Sequence, residues 1–239
     1  MKLKGGYTNY GEAIGILMLD TRFPRAVGDI GNALSFPFPV KYKKIKFALP
    51  ERVVKEADIT LLEPFIEGAR ELEREGVKAI TTSCGFLAMF QNQLAASVNI
   101  PVFTSSLIQV PFIFKIMGSR GKVGIITASK ASLTQKHFES VGIKKIPIVV
   151  TGMDDMEEFS RVFLGNEEDL DFEKCEKEME IKSLQLIKEN PDVKSIVLEC
   201  TNMSPFRKRI QKVTQRPVFD IITLTKYIYM GIEFLALCN

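Results

Sequence analysis

The sequence predicts an α/β protein of two pseudo-symmetric lobes, each a parallel sheet with helices on both faces, and a cleft between them. Three observations carry that expectation. Residues 77–103 and 193–219 align without a gap at an offset of 116 and share eight identities, well beyond chance. Apolar, β-branched runs of strand length alternate with helical patterns, the signature of crossover units and so of parallel sheets. A chain of 239 residues, 46% hydrophobic and 26% charged, has material for two lobes of about a hundred residues, each with its own core. The first lobe is expected at 1–117 with 220–239, the second at 118–219.

Residues 14–19 read as an apolar strand. The polar loop Asp20-Thr21-Arg22-Phe23-Pro24-Arg25 follows, then Gly28-Asp29-Ile30-Gly31-Asn32, read as a surface or cleft-rim turn. Phe36-Pro37-Phe38-Pro39 is extended, because each proline disfavours helix in the residue before it, and 40–47 is a strand. Across 58–75, Leu61, Leu62, Phe65, Ala69 and Leu72 fall on one helical stripe that Gly76 ends. Strand 77–82 leads to Cys84, helix 86–97 follows, and strand 101–104, opened by proline, closes the first copy.

A helix at 106–117 reaches the hinge-like Gly118-Ser119-Arg120-Gly121. Strand 122–127 repeats the character of the first strand, Gly124-Ile125-Ile126 answering Gly15-Ile16-Leu17. After the loop Ala128-Ser129-Lys130 come a helix at 132–140 and a strand at 147–150. Asp154-Asp155 and Glu157-Glu158 read as a solvated, acidic helix start. A charged amphipathic helix at 167–190 ends at Asn190-Pro191, the second copy runs over 193–219, and a last helix at about 223–237 is expected to pack back on the first lobe.

A net charge of +3 with lysines spread along the chain does not suggest a nucleic-acid surface. Neither GxGxxG nor GxxxxGK[ST] is present, and no CxxC pair offers a short-spaced zinc site. His137 is the only histidine, so a Ser-His-Asp triad would rest on one residue in an unremarkable helix. Met1-Lys2-Leu3-Lys4 has the charge of a secretion signal's start, but Glu12 breaks the apolar run that should follow. Asp220, Lys226 and Glu233 interrupt the apolar C-terminal stretch, so no membrane span is expected. The reading is a cytoplasmic protein whose four cysteines are thiols.

In parallel sheets, ligands bind beyond the carboxyl ends of the strands. Cys84, Cys200, Asp20-Thr21 and Thr127-Ala128-Ser129 all fall at such ends. A thiol just ahead of a helix meets unpaired N–H groups and the positive end of the dipole, which favours thiolate, and the same groups would hold a substrate carboxylate. Free cysteine is otherwise among the most buried residue types, and that bland reading suits Cys175, in a charged helix, and Cys238, beside the terminus. Cys84 and Cys200 occupy matching strand ends beside polar residues. Two thiols facing each other across a cleft can move a proton from one face of a carbon to the other.

Thr82-Ser83-Cys84-Gly85-Phe86 and Leu198-Glu199-Cys200-Thr201-Asn202 resemble the two active-site signatures of the aspartate/glutamate racemase superfamily, which includes hydantoin racemases. The resemblance covers nearly the whole chain, since 15–20 and 123–129 also match in character and position. It implies two similar α/β domains with the site between them, no cofactor, and Cys84 and Cys200 as the acid/base pair. By the same resemblance Ser83, Gly85, Phe86, Thr201 and Asn202 would meet substrate beside the cysteines. Thr127 and Ser129 match the hydroxyl loop of the second domain, and Asp20 and Thr21 match the loop after the first strand. Arg22 or Arg25, in that loop, would clamp a carboxylate or else stand as a solvated charge.

Two departures stand out. The family usually has Cys-Asn-Thr where this chain has Cys84-Gly85-Phe86, and glycine where it has Glu199. Phe86 in place of a hydroxyl removes a polar contact and narrows the pocket. The implied activity is a cofactor-independent racemase or epimerase, acting next to a carboxylate or carbonyl of an Asp/Glu-like amino acid or a 5-substituted hydantoin. The rivals are a maleate-type cis-trans isomerase with paired cysteines and a two-lobed protein that binds a small ligand without chemistry. The expected partner is thus a small carboxylate or hydantoin, with no nucleic acid and no membrane, and a homo-oligomer is left open.

Overall fold

A computed structural model describes residues 5–237; Met1-Lys2-Leu3-Lys4 and Cys238 lie outside them. In chain order the first half carries β1 (Ile14–Met18), β2 (Val40–Lys44), α1 (Leu62–Arg74), β3 (Ala79–Thr82), α2 (Gln91–Ala96), β4 (Val102–Phe103) and α3 (Val110–Ile116). The second carries β5 (Lys122–Thr127), α4 (Gln135–Ser140), β6 (Ile148–Gly152), α5 (Glu157–Phe159), α6 (Phe172–Glu189), β7 (Val193–Leu198), α7 (Arg207–Thr214), β8 (Val218–Phe219) and α8 (Ile221–Leu237). All strand pairs are parallel, in two four-stranded sheets ordered β2-β1-β3-β4 and β6-β5-β7-β8. The predicted α/β fold of two parallel sheets is therefore the observed one.

The sequence repeat is a repeat of structure at the same offset. Ile80 pairs with Val102 in one sheet and Ile196 with Val218 in the other. The 3-10 turns Gly85–Phe90 and Thr201–Phe206 also correspond residue for residue. Each replaces the start of what the sequence presents as one helix, and the α-helix proper begins only at Gln91 and Arg207. In the second copy Pro205, which has no N–H to give, sits inside the turn.

Gly15 and Gly124 show why the two sheets are built alike. A Cβ on Gly15 would stand 2.9 Å from Leu72 Cδ1 and 3.2 Å from Val77 Cγ2. On Gly124 it would stand 2.9 Å from Leu186 Cδ2 and 3.0 Å from Val193 Cγ1. In each lobe, a helix leucine and the first valine of the repeat fill the space that a strand side chain would take. One core cluster runs through both lobes, from Leu17, Leu72 and Ile80 to Ile125, Ile196 and Phe206. A second lies under α8, where Ile221, Leu224 and Ile232 meet Ile14, Ile16 and Ala79, and Tyr229 stacks on Phe38. Among the described residues no helix is long and apolar enough to cross a membrane.

Three local expectations need amending, each for a physical reason. The acidic start of α5 is exposed at Asp154, Asp155 and Glu157, as expected, but Glu158 is buried, bound by Arg161 Nη2 at 2.7 Å and by the Asp171 N–H at 2.9 Å. Glu178 of α6 accepts the N–H groups of Glu158 and Phe159, both at 2.8 Å, and so caps α5 from outside. The long helix expected from 167 begins at Phe172, because the Asp171 carboxylate takes the Lys174 N–H and sets the N-cap there. Of the two readings of the turn at 28–32, surface or cleft rim, the second fits: Asp29 and Ile30 are buried, and Asp29 accepts from Asn202.

The crowding at the two strand glycines sets a stability test. Gly15→Ala and Gly124→Ala should each overpack a strand–helix contact and cost roughly 1–3 kcal/mol, read as a shift in the urea midpoint. A midpoint unchanged in either variant would show that Leu72 or Leu186 gives way freely.

Candidate active site

The carboxyl end of β3 delivers Ser83 and Cys84, and the carboxyl end of β7 delivers Glu199 and Cys200. These four, with Gly85, Phe86 and Asn202, line a cavity whose wall is completed by apolar side chains, Phe23 and Phe163 among them. Its free volume is only about 20 Å³, room for a water or two, so a ligand enters by spreading the wall. The lobes are stitched together beside it. Thr201 Oγ1 donates to the Ser83 carbonyl at 2.7 Å, and Ser106 Oγ donates to the Leu198 carbonyl at 2.5 Å.

Glu199 is fully buried. Its Oε2 accepts from Thr127 Oγ1 at 2.8 Å, and the Ala128 N–H also supports the carboxylate, while Oε1 is buried without a hydrogen-bond partner. Burial pushes the acid up to about 7 against those two donors. Gly85 is where Glu199 leaves no room: a Cβ there would collide with the Glu199 carbonyl oxygen and Oε1. The two departures from the family signature are thus one exchange of volume. A glycine follows the first cysteine because a glutamate precedes the second.

The thiols sit in this field. Burial, and then the Glu199 carboxylate, push Cys84 up to about 12, against the N–H groups of Phe86 and Leu87. Enclosure, Glu199 and the Cys84 thiol likewise raise Cys200 well above the ordinary thiol range, against the Asn202 N–H. The expected help from the turn's N–H groups is present at both sulfurs, but desolvation outweighs it. Both groups therefore rest as neutral thiols at pH 7, which corrects the thiolate expectation.

A second network holds Cys200. Asp29 accepts from Arg25 Nη1 and the Gly31 N–H, both at 2.7 Å, and from Asn202 Nδ2 at 2.8 Å. With its amide nitrogen so occupied, Asn202 turns Oδ1 toward Cys200, whose Sγ donates to it at 3.4 Å. Arg25 also donates to Thr21 Oγ1 at 3.0 Å and lies over the Phe23 ring. It is a half-buried girder of the site, already committed to Asp29.

Of the residues expected here, Cys84, Cys200, Ser83, Gly85, Phe86 and Asn202 come together at the cavity. The others do not line it. Thr127 works through Glu199, and Thr201 is spent on the Ser83 carbonyl. Ser129 bonds Ser132, Asp20 pairs with Lys44, and Thr21 accepts from Arg25. Arg22 is exposed and paired with Glu168 at 3.0 Å, outside the cavity. Sequence reading missed Asp29, whose position between glycines looked like that of a turn residue. It also missed Phe163, which arrives from a helical turn with no motif.

Two parallel α/β sheets carry one thiol each at the same strand end, and comparison with known proteins shows the family. Residues 47–225 match the model of the Asp/Glu/hydantoin racemase family. The chain belongs to that family. It is 30% identical to a dimethylsulfoniopropionate lyase of Durusdinium sp. clade D, over 92% of this chain and 74% of the relative. To dimethylsulfoniopropionate lyase 7 of Emiliania huxleyi it is 28% identical, over 88% of this chain but only 64% of that one. An aspartate racemase homologue from Pyrococcus horikoshii OT3 shares the fold, with a TM-score of 0.58 at 18% identity over 92% of this chain and 98% of the other.

The buried acid makes stability depend on pH. Its folded value of about 7 lies above the ordinary 4.5, so the native state holds more protons than the unfolded state between those values. Stability then falls as pH rises through that window. Glu199→Gln, which cannot ionise, should gain up to about 3 kcal/mol on the wild type between about pH 5 and pH 8. Urea melts across that range would refute this if the difference between the two proteins stayed constant.

Proposed function

We propose that this chain is a cofactor-free lyase, in which a cysteine removes the proton next to a carboxylate and a group on the neighbouring carbon leaves. The lining of the cavity carries this reading. Phe23, Phe86 and Phe163, with Leu19 and Val54, supply much of the wall around the thiols. Of the polar groups there, Ser83 Oγ accepts the Leu19 N–H and Asn202 is held by Asp29. Arg25, the cation beside the site, is paired with Asp29. Aspartate or glutamate would bring an ammonium and a second carboxylate into a wall with no unpaired cation among the described residues. Glu199 Oε1 is the one buried side-chain oxygen there left without a partner, so charge would go unmatched at high cost. A sulfonium sheathed in methyl groups suits aromatic faces. Dimethylsulfoniopropionate, the compound in the relatives' names, carries that group β to its carboxylate.

Cys84 is the better base, since two backbone N–H groups face its sulfur while Cys200 gives its proton to Asn202. Cys84 first gives its thiol proton to solvent, and the thiolate so formed takes the proton on the carbon next to the carboxylate. That C–H pair becomes the new C=C bond, and the C–S pair leaves on sulfur. The products are acrylate and neutral dimethyl sulfide, and Cys84, now carrying the substrate proton, is the neutral thiol it began as. The leaving group departs uncharged, so no acid is needed. The rival reading, racemisation, is favoured by having both thiols at one cavity, and it requires both.

Purified protein incubated with dimethylsulfoniopropionate should release dimethyl sulfide and acrylate in equal amounts. Cys84→Ala should lower the rate by about 10²–10⁴, and Cys200→Ala should keep the larger share of activity. Inversion of aspartate, glutamate or a hydantoin in D2O, without sulfide release, would overturn the lyase reading in favour of a racemase.

A further inference from the structure

The cavity has no free cation for a substrate carboxylate, yet at its edge stands a carboxyl group with one oxygen bonded and the other empty-handed. Glu199 Oε2 accepts from Thr127 Oγ1, the Ala128 N–H also supports the carboxyl group, and Oε1 has no partner. A carboxylate would use acceptor capacity on both oxygens. A neutral acid needs a donor to its carbonyl oxygen and one acceptor for its O–H. The Thr127 donor makes Oε2 the carbonyl, which puts the proton on Oε1. Oε1 lies against Gly85, the residue after Cys84, and Glu199 itself precedes Cys200. The O–H is therefore where the two thiol-bearing loops meet.

We propose that Glu199 binds substrate as a neutral carboxylic acid, its Oε1–H donating a hydrogen bond to the substrate carboxylate. The inference rests on the reading of this cavity as a carboxylate site. Removing the neighbouring C–H proton drives negative charge onto that carboxylate, and a preorganised donor in an apolar site is most useful there. A carboxylic acid kept neutral by its surroundings to serve as an oxyanion donor has precedent in enzyme chemistry. The titratable and charged groups around Glu199 are few: the neutral thiols Cys84 and Cys200 on their strand-end loops, and beyond them Asp29 with Arg25, paired to each other. The proton on Glu199 also removes the charge that pushes both thiols up, so holding the substrate and easing formation of the thiolate share one event.

A bound carboxylate must then pull a proton from solvent onto Glu199 wherever the free protein has lost it. Propionate and acrylate serve as probes, since neither can react by elimination. Calorimetry in buffers of different ionisation heat should find about one proton taken up per propionate bound near pH 8 and almost none near pH 5.5. Glu199→Gln should bind propionate with no uptake at either pH, its amide replacing the O–H as donor. In wild-type protein at about pH 8, infrared spectra with ¹³C-labelled propionate should show a protonated carboxyl band that the label does not shift. Binding without uptake would overturn the proposal, as would uptake that persists in Glu199→Gln or a protonated band that moves with the label. Failure of both probes to bind would overturn the carboxylate site itself, and the proposal with it.

Discussion

Everything at this site answers to one carboxyl group that has been taken out of water. Glu199 is buried at the end of β7, where its desolvation would be prohibitive without Thr127 and Ala128 as donors and a proton within reach of Oε1. That burial dictates glycine at 85, adds to the desolvation that already raises both thiols, and depends on the lobes staying closed. The closure is held by hydrogen bonds from Thr201 to Ser83 and from Ser106 to Leu198, each crossing from one lobe to the other.

The duplication makes the backbone symmetric, and the chemistry then breaks the symmetry. At the shared offset, Ser83 answers Glu199, Gly85 answers Thr201, and Phe86 answers Asn202. Cys84 consequently looks onto a phenyl ring and two N–H groups, while Cys200 is bonded to an amide that Asp29 holds in place. Two equivalent thiols suit a reaction that must run in both directions across a carbon. Two thiols in such different surroundings suit a division of labour, in which one carries out the step and the other is held protonated.

The fold was legible because its determinants are local and periodic. The β-branched runs, the matching Gly15 and Gly124, and the repeat at 77–103 and 193–219 each leave a mark in the order of residues. The two cysteines were legible for the same reason, since duplication put them at equivalent strand ends. What escaped was set by tertiary contact. Asp29 becomes a site residue only because Asn202, 173 positions away, reaches it. Arg22 and Arg25 are indistinguishable in sequence, yet one pairs with Glu168 in solvent and the other with buried Asp29. The direction of the thiol shifts was also illegible, because turn N–H groups can be read from position, whereas desolvation cannot.

The central claim is that Glu199 and the two thiols form one coupled proton site. It is tested most directly by titrating thiolate absorbance in protein with Cys175 and Cys238 replaced by serine, with and without Glu199→Gln. With Glu199 present, thiolate should appear only far above neutral pH, and the Gln variant should bring that midpoint down because the carboxylate charge is gone. Identical midpoints in the two proteins would contradict the coupling.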